Sequence, residues 1–337
     1  MIQVGVFGAT GYTGLELVKL LMRHRGVHLA FASSPSSAGQ SLEKLYPALP
    51  NIPLVLTEQA LNMKADVLFF CLPHGEAAQL MPKFVQRGTR VIDLSADFRL
   101  KSAAQFEKWY EHVHPAPQLL PQFQYGLPEL YRDKIIGAQC VANPGCYPTS
   151  VLLGLAPLLK AKMVSAATPV VIDSKSGVSG AGRKATLGSH FVEVNENIAP
   201  YNLGRRHRHV PEMEQEIELL GNKSLRVLFS PHLVPISQGI LSTIYVPLED
   251  DYPEESVRAL FLEHYARERF VKVIETPQAC SSLRFVAGTN VCVLSVHVCG
   301  KMAIVVSAID NLYKGASGQA LQNMNLMCGF EENEGLA

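Results

Sequence analysis

Two patterns of hydrophobic and polar positions divide the chain, and the first occupies its opening third. Short apolar runs alternate with longer stretches whose apolar residues recur at helical spacing. Because strands that alternate with helices form parallel sheets, we expect a doubly wound α/β sheet here. The predicted strands are 2–7, 27–32, 67–71 and 90–94, and the predicted helices are 13–24 and 77–87.

The second pattern begins near residue 170 and has strands rich in valine and isoleucine. Gly300 and Lys301 stand between two such runs and predict a hairpin turn. Antiparallel strands with helices between some of them predict an α+β layer. A last helix is expected at 315–327. The strands predicted in this part are 170–173, 226–229, 241–246, 291–298 and 303–308, and the helices are 212–220 and 253–267.

Composition narrows the classes of protein to which the chain can belong. Its 337 residues predict two domains, since a domain usually has roughly 150 residues. A hydrophobic content of 47% and a charged content of 18% exclude a mainly disordered chain. Lys and Arg together number 30, as do Asp and Glu, so the basic excess of nucleic-acid-binding proteins is absent. We expect no nucleic-acid partner.

The N-terminus and the cysteines indicate where such a protein works. The opening residues have no basic segment and too short an apolar run for a secretory signal. The uncharged stretch 140–159 contains three prolines, and we interpret it as a buried loop followed by a helix. The seven scattered cysteines favour neither disulfides nor a zinc site. We expect a soluble, cytoplasmic enzyme without a metal or a membrane partner.

Glycines follow the first predicted strand directly, in the run Gly8-Ala9-Thr10-Gly11-Tyr12-Thr13-Gly14. At a turn from strand to helix, glycines let the backbone approach a pyrophosphate, which then lies on the helix N-terminus. The spacing is a variant of the dinucleotide fingerprint. A tight turn in an α/β domain without a ligand is the alternative. The residues predicted to bind a dinucleotide are Gly8, Thr10, Gly11, Tyr12, Thr13 and Gly14.

The segment after the second predicted strand bears on the choice of cofactor. A site for NAD carries Asp or Glu about twenty residues after the glycines, bound to the ribose hydroxyls. The segment 31–42 has several serines and no acid. Because a carboxylate repels the 2′-phosphate of NADP and hydroxyls do not, we predict NADP, with Ser33 and Ser34 near this phosphate. An ordinary serine-rich loop is the alternative.

Cys146 lies in the run Asn143-Pro144-Gly145-Cys146-Tyr147-Pro148-Thr149. Pro148 suits the first turn of a helix predicted at 149–159, so Cys146 is expected at or just before its N-terminus. The N–H groups and the helix dipole there lower a thiol's pKa and stabilise an oxyanion. We predict that Cys146 is a nucleophile; a buried free cysteine is the alternative. Cys71, Cys292 and Cys299 are predicted to be small core residues in strands.

The run His207-Arg208-His209 offers a base or proton donor for the thiol and a cation for an anionic substrate. Half of a metal site and a basic turn that caps the next helix are the alternatives. The sequence shows no cluster that would complete a metal site. In an extended segment the two histidines share a face but lie roughly 6–7 Å apart along it, and they diverge further if the segment coils, so we expect only one of them to act on the thiol. We favour His209 as the acid–base group and His207 for binding.

Two further segments are candidates for anion binding. The stretch 176–184 combines glycines, serines and two cations into a candidate nest that includes Ser176, Ser179 and Gly180. A loop without a function has the same composition. Arg99 ends a predicted strand, where it would clamp a carboxylate or phosphate, or pair with Asp97.

These motifs together resemble those of the N-acetyl-γ-glutamyl-phosphate reductase family, arginine-pathway relatives of aspartate-semialdehyde dehydrogenase. Eight motifs in the family's order make the resemblance specific over nearly the whole chain. One departure is Gln238, where the family often has Arg. The motifs are GATGYTG at 8–14, DLSADFR at 93–99, YGLPE at 125–129, NPGCYPT at 143–149, SGVSGAGRK at 176–184, HRH-PE at 207–212, FSPHLVP at 229–235 and DNL-KGA-GQA-QNMN at 310–325.

The resemblance implies a fold and a reaction. The fold is an α/β Rossmann-type nucleotide-binding domain, 1–145 with 312–337, plus an α+β catalytic and dimerisation domain, 146–311, as in semialdehyde dehydrogenases. The Cys146 thiolate would displace phosphate from N-acetyl-L-glutamyl 5-phosphate to leave a thioester. Hydride from NADPH would then give N-acetyl-L-glutamate 5-semialdehyde, and a histidine of the 207–209 pair would move the proton.

The resemblance also implies homodimers or homotetramers formed through the second domain. It brings Asn311 near the cofactor, where we also expect Ser179 and Gly180. Arg99, Ser176 and Arg208 are the residues we expect at the substrate.

Three alternatives for the function stay open. The first is the same chemistry on aspartyl phosphate or N-acetyl-α-aminoadipyl phosphate. The second is a non-catalytic NADP-binding redox sensor, against which Cys146 and the downstream histidines argue. The third is a cysteine hydrolase, in which a dinucleotide fingerprint has no purpose.

Overall fold

A computed structural model describes residues 1–184 and 186–336 of the chain. The chain divides into two compact units, one formed by residues 1–144 and the segment from 316 onward, and the other by residues 145–315. The domain boundaries predicted from the sequence, at 145/146 and 311/312, stay a prediction. None of the described helices is both long and apolar enough to cross a bilayer.

The first unit contains a sheet of seven strands in the order β3-β2-β1-β4-β5-β7-β6, and every neighbouring pair is parallel. The strands are β1 (Ile2–Phe7), β2 (Val27–Ser33), β3 (Leu54–Val55), β4 (Val67–Phe70), β5 (Arg90–Asp93), β6 (Phe123–Tyr125) and β7 (Cys140–Ala142). The helices are α1 (Tyr12–Leu21), α2 (Leu42–Leu45), α3 (Thr57–Ala60), α4 (Glu76–Val85), α5 (Ala103–Tyr110), α6 (Pro128–Ile135) and, from the end of the chain, α11 (Gly318–Cys328).

Buried apolar side chains stabilise this sheet and so fix the position of the carboxyl ends of its strands. Val4, Val6 and Phe7 of β1 are fully buried, and the Phe7 ring stacks on Phe70 of β4 at 4.8 Å between centroids. The chain order reverses between β1 and β4, which is where doubly wound sheets bind ligands at their carboxyl ends. The predicted α/β Rossmann-type fold is confirmed.

The second unit contains a mixed sheet in the order β12-β13-β14-β11-β8-β10-β9. Its strands are β8 (Val170–Ser176), β9 (Ala199–Pro200), β10 (Val227–Leu233), β11 (Ile240–Pro247), β12 (Val271–Val273), β13 (Cys292–Cys299) and β14 (Met302–Ile309). Its helices are α7 (Cys146–Lys160), α8 (Phe191–Val194), α9 (Val210–Gly221) and α10 (Glu254–His264). A π-helical turn, Tyr313–Ser317, precedes α11.

One face of the mixed sheet is covered by helices and the other is more open. Along β8 and β11, fully buried residues such as Ile172 and Ile244 alternate with partly exposed ones. Helix α7 packs on β11 and β14 from the buried side. The open face carries Val171, Leu228 and Tyr245, of which Leu228 and Tyr245 are about two-fifths exposed, at 40% and 37%.

The structure corrects several details of the sequence analysis. The stretch 140–159 begins with a strand, β7, because Cys140, Val141 and Ala142 pair with β5, and the predicted loop follows only at residue 143. Cys299 ends its strand exposed, so it is not a core residue. The predicted hairpin is confirmed, with Cys299 opposite Met302 and Gly300-Lys301 between them. Sequence analysis missed the short strands β3, β6, β7, β9 and β12.

Candidate active site

The glycine run forms a turn at the carboxyl end of β1. A Cβ on Gly8, whose φ is +79°, would lie 2.2 Å from the Cys71 carbonyl oxygen, and a Cβ on Gly14 would lie 2.2 Å from the Gly8 oxygen. Glycine is therefore required at both positions. Gly11 is the N-cap of α1, so Tyr12 and Thr13 present the N–H groups of its first turn. This turn fits a pyrophosphate.

The second strand ends beside this turn. The N–H groups of Gly8 and Ala9 donate to the Ser33 carbonyl at 3.1 and 2.9 Å, and the Thr10 and Ser34 hydroxyls lie 2.7 Å apart. The Ser33 hydroxyl is fully buried and has no hydrogen-bond partner within the described part of the chain. An orphaned buried hydroxyl next to a glycine turn fits a phosphorylated ligand that supplies the missing bond. The arrangement is therefore compatible with NADP.

Cys146 is the first residue of α7, with Gly145 as the N-cap. The Gly145 N–H donates to Oε1 of the buried Glu212 at 2.8 Å, which fixes the entry of the chain into the helix. Cys146 is half-buried. Its position on the positive end of a 15-residue helix favours the thiolate. Burial acts the other way on Cys140, whose pKa it raises to about 12.

Tyr147, directly after Cys146, is the centre of a ring cluster. Its centroid lies 5.4 Å from that of His207, 5.9 Å from His209 and 5.0 Å from Phe229. Its hydroxyl oxygen is 2.8 Å from that of Tyr201. Burial first, and then the charges of Tyr201 and Cys146, raise the pKa of Tyr147, so the phenol stays protonated. The neutral Tyr147 hydroxyl thus lies among hydrogen-bonding groups in the residue directly after the thiol.

The two histidine rings lie closer together than the expected separation of roughly 6–7 Å. Their centroids are 4.8 Å apart, because His209 ends an αR turn as the N-cap of α9 and folds its ring back onto His207. The His209 N–H donates to His207 Nδ1 at 3.1 Å. Burial, and then the charge of Arg208, lowers the pKa of His207 to about 4. Neutral His207 therefore carries its proton on Nε2 and acts as a donor there.

The candidate anion nest follows β8. The Ser176 hydroxyl donates to the Gly177 carbonyl at 3.0 Å and also bonds to Tyr147. Asn311 is buried, and its amide donates to the Ser179 hydroxyl at 3.0 Å and accepts from the Gly239 N–H at 2.6 Å. These bonds join the nest to the end of β14.

Gly180 and Gln238 differ from these residues in their surroundings. Gly180 is exposed. A Cβ on Gly177 would lie 2.7 Å from the main chain of Gln238, so Gln238 takes part in the nest through its backbone.

The predicted cations differ in their surroundings. Arg99 is buried, and its guanidinium donates to the carbonyls of Asn143 and Leu94 at 2.8 and 2.9 Å. The Asp97 carboxylate accepts from the N–H groups of Gly75 and Ala78 at the start of α4. Arg208, in contrast, is exposed.

The structure brings together four of the predicted residues, Cys146, Ser176, His207 and His209, around Tyr147. The glycine turn, Ser33 and Ser34 form a second group in the other unit. Sequence reasoning missed Tyr147, Tyr201 and Glu212 as parts of the site. Tyr147 and Glu212 lie inside the motifs NPGCYPT and HRH-PE. Tyr201 has no local signal, since its contact with Tyr147 spans 54 positions. No group of three metal-ligating side chains occurs in the described ranges.

Comparison with known protein families covers both units. Residues 3–138 match the family model of the semialdehyde dehydrogenase NAD binding domain, and residues 146–311 match that of the semialdehyde dehydrogenase dimerisation domain. The N-acetyl-gamma-glutamyl-phosphate reductase of Desulfotalea psychrophila is 47% identical over all of this chain and 98% of its own length. The enzyme of the same name from Moorella thermoacetica is 48% identical over the same shares.

Solved structures share the fold. Aspartate semialdehyde dehydrogenase II of Vibrio cholerae, complexed with ASA, has a TM-score of 0.74 at 18% identity, over 97% of this chain and 98% of its own. The Candida albicans aspartate semialdehyde dehydrogenase with NADP has a TM-score of 0.69 at 16% identity, over the same shares.

Proposed function

The chain belongs to the semialdehyde dehydrogenase family, and we propose that it reduces N-acetyl-L-glutamyl 5-phosphate to N-acetyl-L-glutamate 5-semialdehyde, a step of arginine biosynthesis. The sequence-derived prediction of this family and enzyme class is confirmed by the two domain matches and by the full-length relatives named N-acetyl-gamma-glutamyl-phosphate reductase. The observation that carries the proposal is Cys146 at the first position of α7, beside a cluster of two histidines and two tyrosines.

The first half of the reaction is acyl transfer to the thiol. The Cys146 sulfur attacks the acyl carbon, the carbon–oxygen bond to phosphate breaks, and phosphate leaves with its electron pair. The helix N-terminus at Cys146 lowers the energy of the negative charge on the thiolate and on the tetrahedral oxyanion. The product of this half is a thioester on Cys146.

The second half of the reaction reduces the thioester and releases the product from Cys146. NADPH, when bound, supplies the hydride that reduces the thioester carbonyl. As the hydride adds, the oxygen takes a proton from an acid and a thiohemiacetal forms. The carbon–sulfur bond then breaks with the pair returning to sulfur, and the oxygen-bound proton returns to the same group, which now acts as a base. We assign that base to His209. Neutral His207, a donor through Nε2, holds the substrate oxygen.

The remaining roles follow the sequence-derived assignments. The turn Gly8–Gly14 would hold the pyrophosphate, and Ser33 and Ser34 would hold the 2′-phosphate, because no acid is present to repel it. The cofactor site is completed by Ser179, Gly180 and Asn311. The substrate site is formed by Arg99, Ser176 and Arg208. In this assignment Arg99 acts by holding the Asn143 carbonyl, to which its Nε donates at 2.8 Å.

The proposed function includes the association of the chain with itself and its place in the cell. The chain forms homodimers or homotetramers through its second unit, for which the dimerisation-domain match and the half-open face of the mixed sheet are the support. It works in the cytoplasm on a small acyl phosphate. The balanced charge of the chain, with no basic excess, supports the absence of a nucleic-acid partner.

One assay tests the function. Purified protein is given N-acetylglutamate 5-semialdehyde, NADP⁺ and phosphate, and the formation of NADPH is followed, with aspartate semialdehyde and the N-acetyl-α-aminoadipate analogue alongside. Phosphate-dependent turnover fastest with the N-acetylglutamate compound supports the proposal. A higher kcat/KM with either analogue would reassign the substrate, and NADP binding without any turnover would indicate a sensor.

A further inference from the structure

A buried carboxylate follows the last strand of the mixed sheet. Asp310 is fully buried and comes directly after β14, a strand that is paired on both sides. Its carboxylate accepts from the N–H groups of Leu312 at 2.9 Å, Tyr313 at 3.2 Å and Gly288 at 2.8 Å. A carboxylate offers two accepting oxygens to such a set of donors, whereas an amide offers one oxygen and an NH₂ group. The course of the chain after β14 therefore depends on the Asp310 side chain.

This carboxylate begins a turn that reaches the candidate nucleophile. The Asp310 carbonyl accepts from the Gly315 N–H at 2.9 Å, an i to i+5 bond of the π-helical turn Tyr313–Ser317. Gly315 packs so closely on Cys146 that a side chain on the glycine would collide with the Cys146 Cβ. Both the side chain and the main chain of Asp310 thus help to fix the residue that touches the thiol.

The same carboxylate fixes the residue that reaches the nest. Asn311 lies between Asp310 and Leu312, whose N–H the carboxylate holds. The Asn311 side chain bonds to the Ser179 hydroxyl of the nest and to the Gly239 N–H. Any change in the main chain at 310–312 would therefore turn this side chain away from the nest. The carboxylate connects the nest and the thiol through one short segment.

The surroundings of the turn leave it little room to move. Lys314 is fully buried as well, and its Nζ lies 5.7 Å from the centroid of the Phe270 ring. Buried donors and charges that lose their surroundings are costly, because water does not replace the lost partners. Asp310 is therefore not an exchangeable cap on a surface turn. The turn is expected to hold one arrangement as long as the carboxylate is present.

We infer that Asp310 is a positioning residue for the thiol chemistry: its carboxylate sets the turn that places Gly315 against Cys146 and Asn311 at the nest. This inference rests on the proposed function for its kinetic readout. Its main readout is the reactivity of the thiol, which is measured without substrate or cofactor.

The test compares Asp310→Asn with the wild type in the full chain. Glu254→Gln is the matched control, because Glu254 also lies in the second unit and accepts from a main-chain N–H, that of Val298 at 3.0 Å. Each protein is labelled with iodoacetamide near neutral pH, and peptide mass spectrometry gives the rate at each cysteine. The buried thiols of Cys140 and Cys292 report general unfolding.

We expect Asp310→Asn to be labelled at Cys146 at least about threefold faster, because a displaced Gly315 no longer covers the thiol. Cys140 and Cys292 should stay protected, and the control should match the wild type at every cysteine. An unchanged rate at Cys146 would overturn the inference. A similar acceleration at all three thiols would also overturn it, since that result indicates general unfolding.

Steady-state kinetics should show the consequence for turnover. We expect kcat of Asp310→Asn to fall at least about tenfold. The KM for NADP⁺ should rise, because the nest loses its bond to the turn. Full kcat in a variant whose thiol is labelled faster would overturn the positioning role.

Asp310→Ser replaces the amide variant if that variant does not fold. A serine hydroxyl still accepts from an N–H two residues on, but it is too short to hold Gly288 as well. We expect the same selective acceleration at Cys146, and labelling like that of the wild type would overturn the inference. A wild type that turns over none of the three semialdehydes would instead contradict the proposed function and leave the labelling comparison intact.

Discussion

Gly315 packs directly against Cys146: a Cβ on Gly315 would lie 2.8 Å from the Cys146 Cβ and 3.3 Å from its Cα. The glycine is held there by the π-helical turn Tyr313–Ser317, in which its N–H donates to the Asp310 carbonyl at 2.9 Å. The position of the thiol at the start of α7 therefore depends on a missing side chain 169 positions away in the sequence, since 315 − 146 = 169.

Gly315→Ala should lower kcat at least tenfold, equivalent to about 1.4 kcal/mol of barrier, because the added methyl displaces Cys146. The rate of thiol alkylation should change as well, while NADPH affinity stays near that of the wild type. Gly154→Ala is the control. Gly154 lies on the same helix as Cys146, and a Cβ there would lie 2.7 Å from Ile244 Cδ1 on β11, away from the thiol. Equal losses of kcat in both variants would mean that general strain in α7, and not the position of the thiol, is responsible.

The two histidines should separate in kinetics. His209→Asn should lower kcat and flatten one limb of the pH–rate profile, because it removes the base that takes the thiohemiacetal proton. His207→Asn should mainly raise KM, because neutral His207 is expected to bind the substrate oxygen through its Nε2–H and to transfer no proton. Steady-state kinetics from pH 5 to about 9 would measure both effects. The reverse pattern would move the acid–base role to His207.

His207 should also make stability depend on pH. Its pKa is lowered to about 4 by burial and Arg208, while an unfolded histidine titrates near 6.5. Between those values only the unfolded chain takes up the proton, so the free energy of unfolding falls with falling pH by up to about 3 kcal/mol and is unaffected above 6.5. His207→Asn should remove this part of the slope in urea titrations.

His264→Asn is the matched control for stability. Burial and Lys160 lower the pKa of His264 to about 4 as well, but it lies on α10, outside the ring cluster. The variant His264→Asn should reduce the pH dependence of the free energy of unfolding similarly and leave KM unchanged. If His207→Asn left the pH dependence of unfolding unaltered, the low pKa of His207 would be contradicted.

Cofactor choice should depend on the end of β2. We expect at least a tenfold preference for NADPH over NADH in kcat/KM, about 1.4 kcal/mol. Ser34→Asp should erode it by repelling the 2′-phosphate, and Ser34→Ala, which adds no charge, should erode it less. Equal use of both cofactors by the wild type would contradict the assignment of Ser33 and Ser34.

Local signals predicted the parts of the fold that local physics determines. The strand 2–7 is recovered in full, because a continuous apolar run followed by glycine has one favourable structure. The Gly300-Lys301 hairpin and the place of Cys146 at a helix start follow from turn and proline chemistry in the same way. Helix ends moved by a few residues, as with 13–24 against Tyr12–Leu21.

Features that depend on distant contacts escaped prediction. The strand Cys140–Ala142 has three residues and exists because its neighbours β5 and β6 pair with it. The ring cluster at His207 depends on Tyr147 and Phe229 from other elements, whose centroids lie 5.4 and 5.1 Å from that of His207. Glu212 reaches the N-cap of α7 across 67 positions. Spacing along one segment contains no information about such contacts.

The central claim is that Cys146 carries the acyl group. The direct measurement is intact-protein and peptide mass spectrometry after mixing the enzyme with N-acetylglutamate 5-semialdehyde and NADP⁺ without phosphate. The account predicts one N-acetylglutamyl thioester on Cys146, one equivalent of NADPH per subunit, and release of the acyl group when phosphate is added. Cys146→Ala should show neither adduct nor NADPH while still binding the cofactor. An adduct on another residue, or turnover by Cys146→Ala above a few per cent of wild type, would contradict the account.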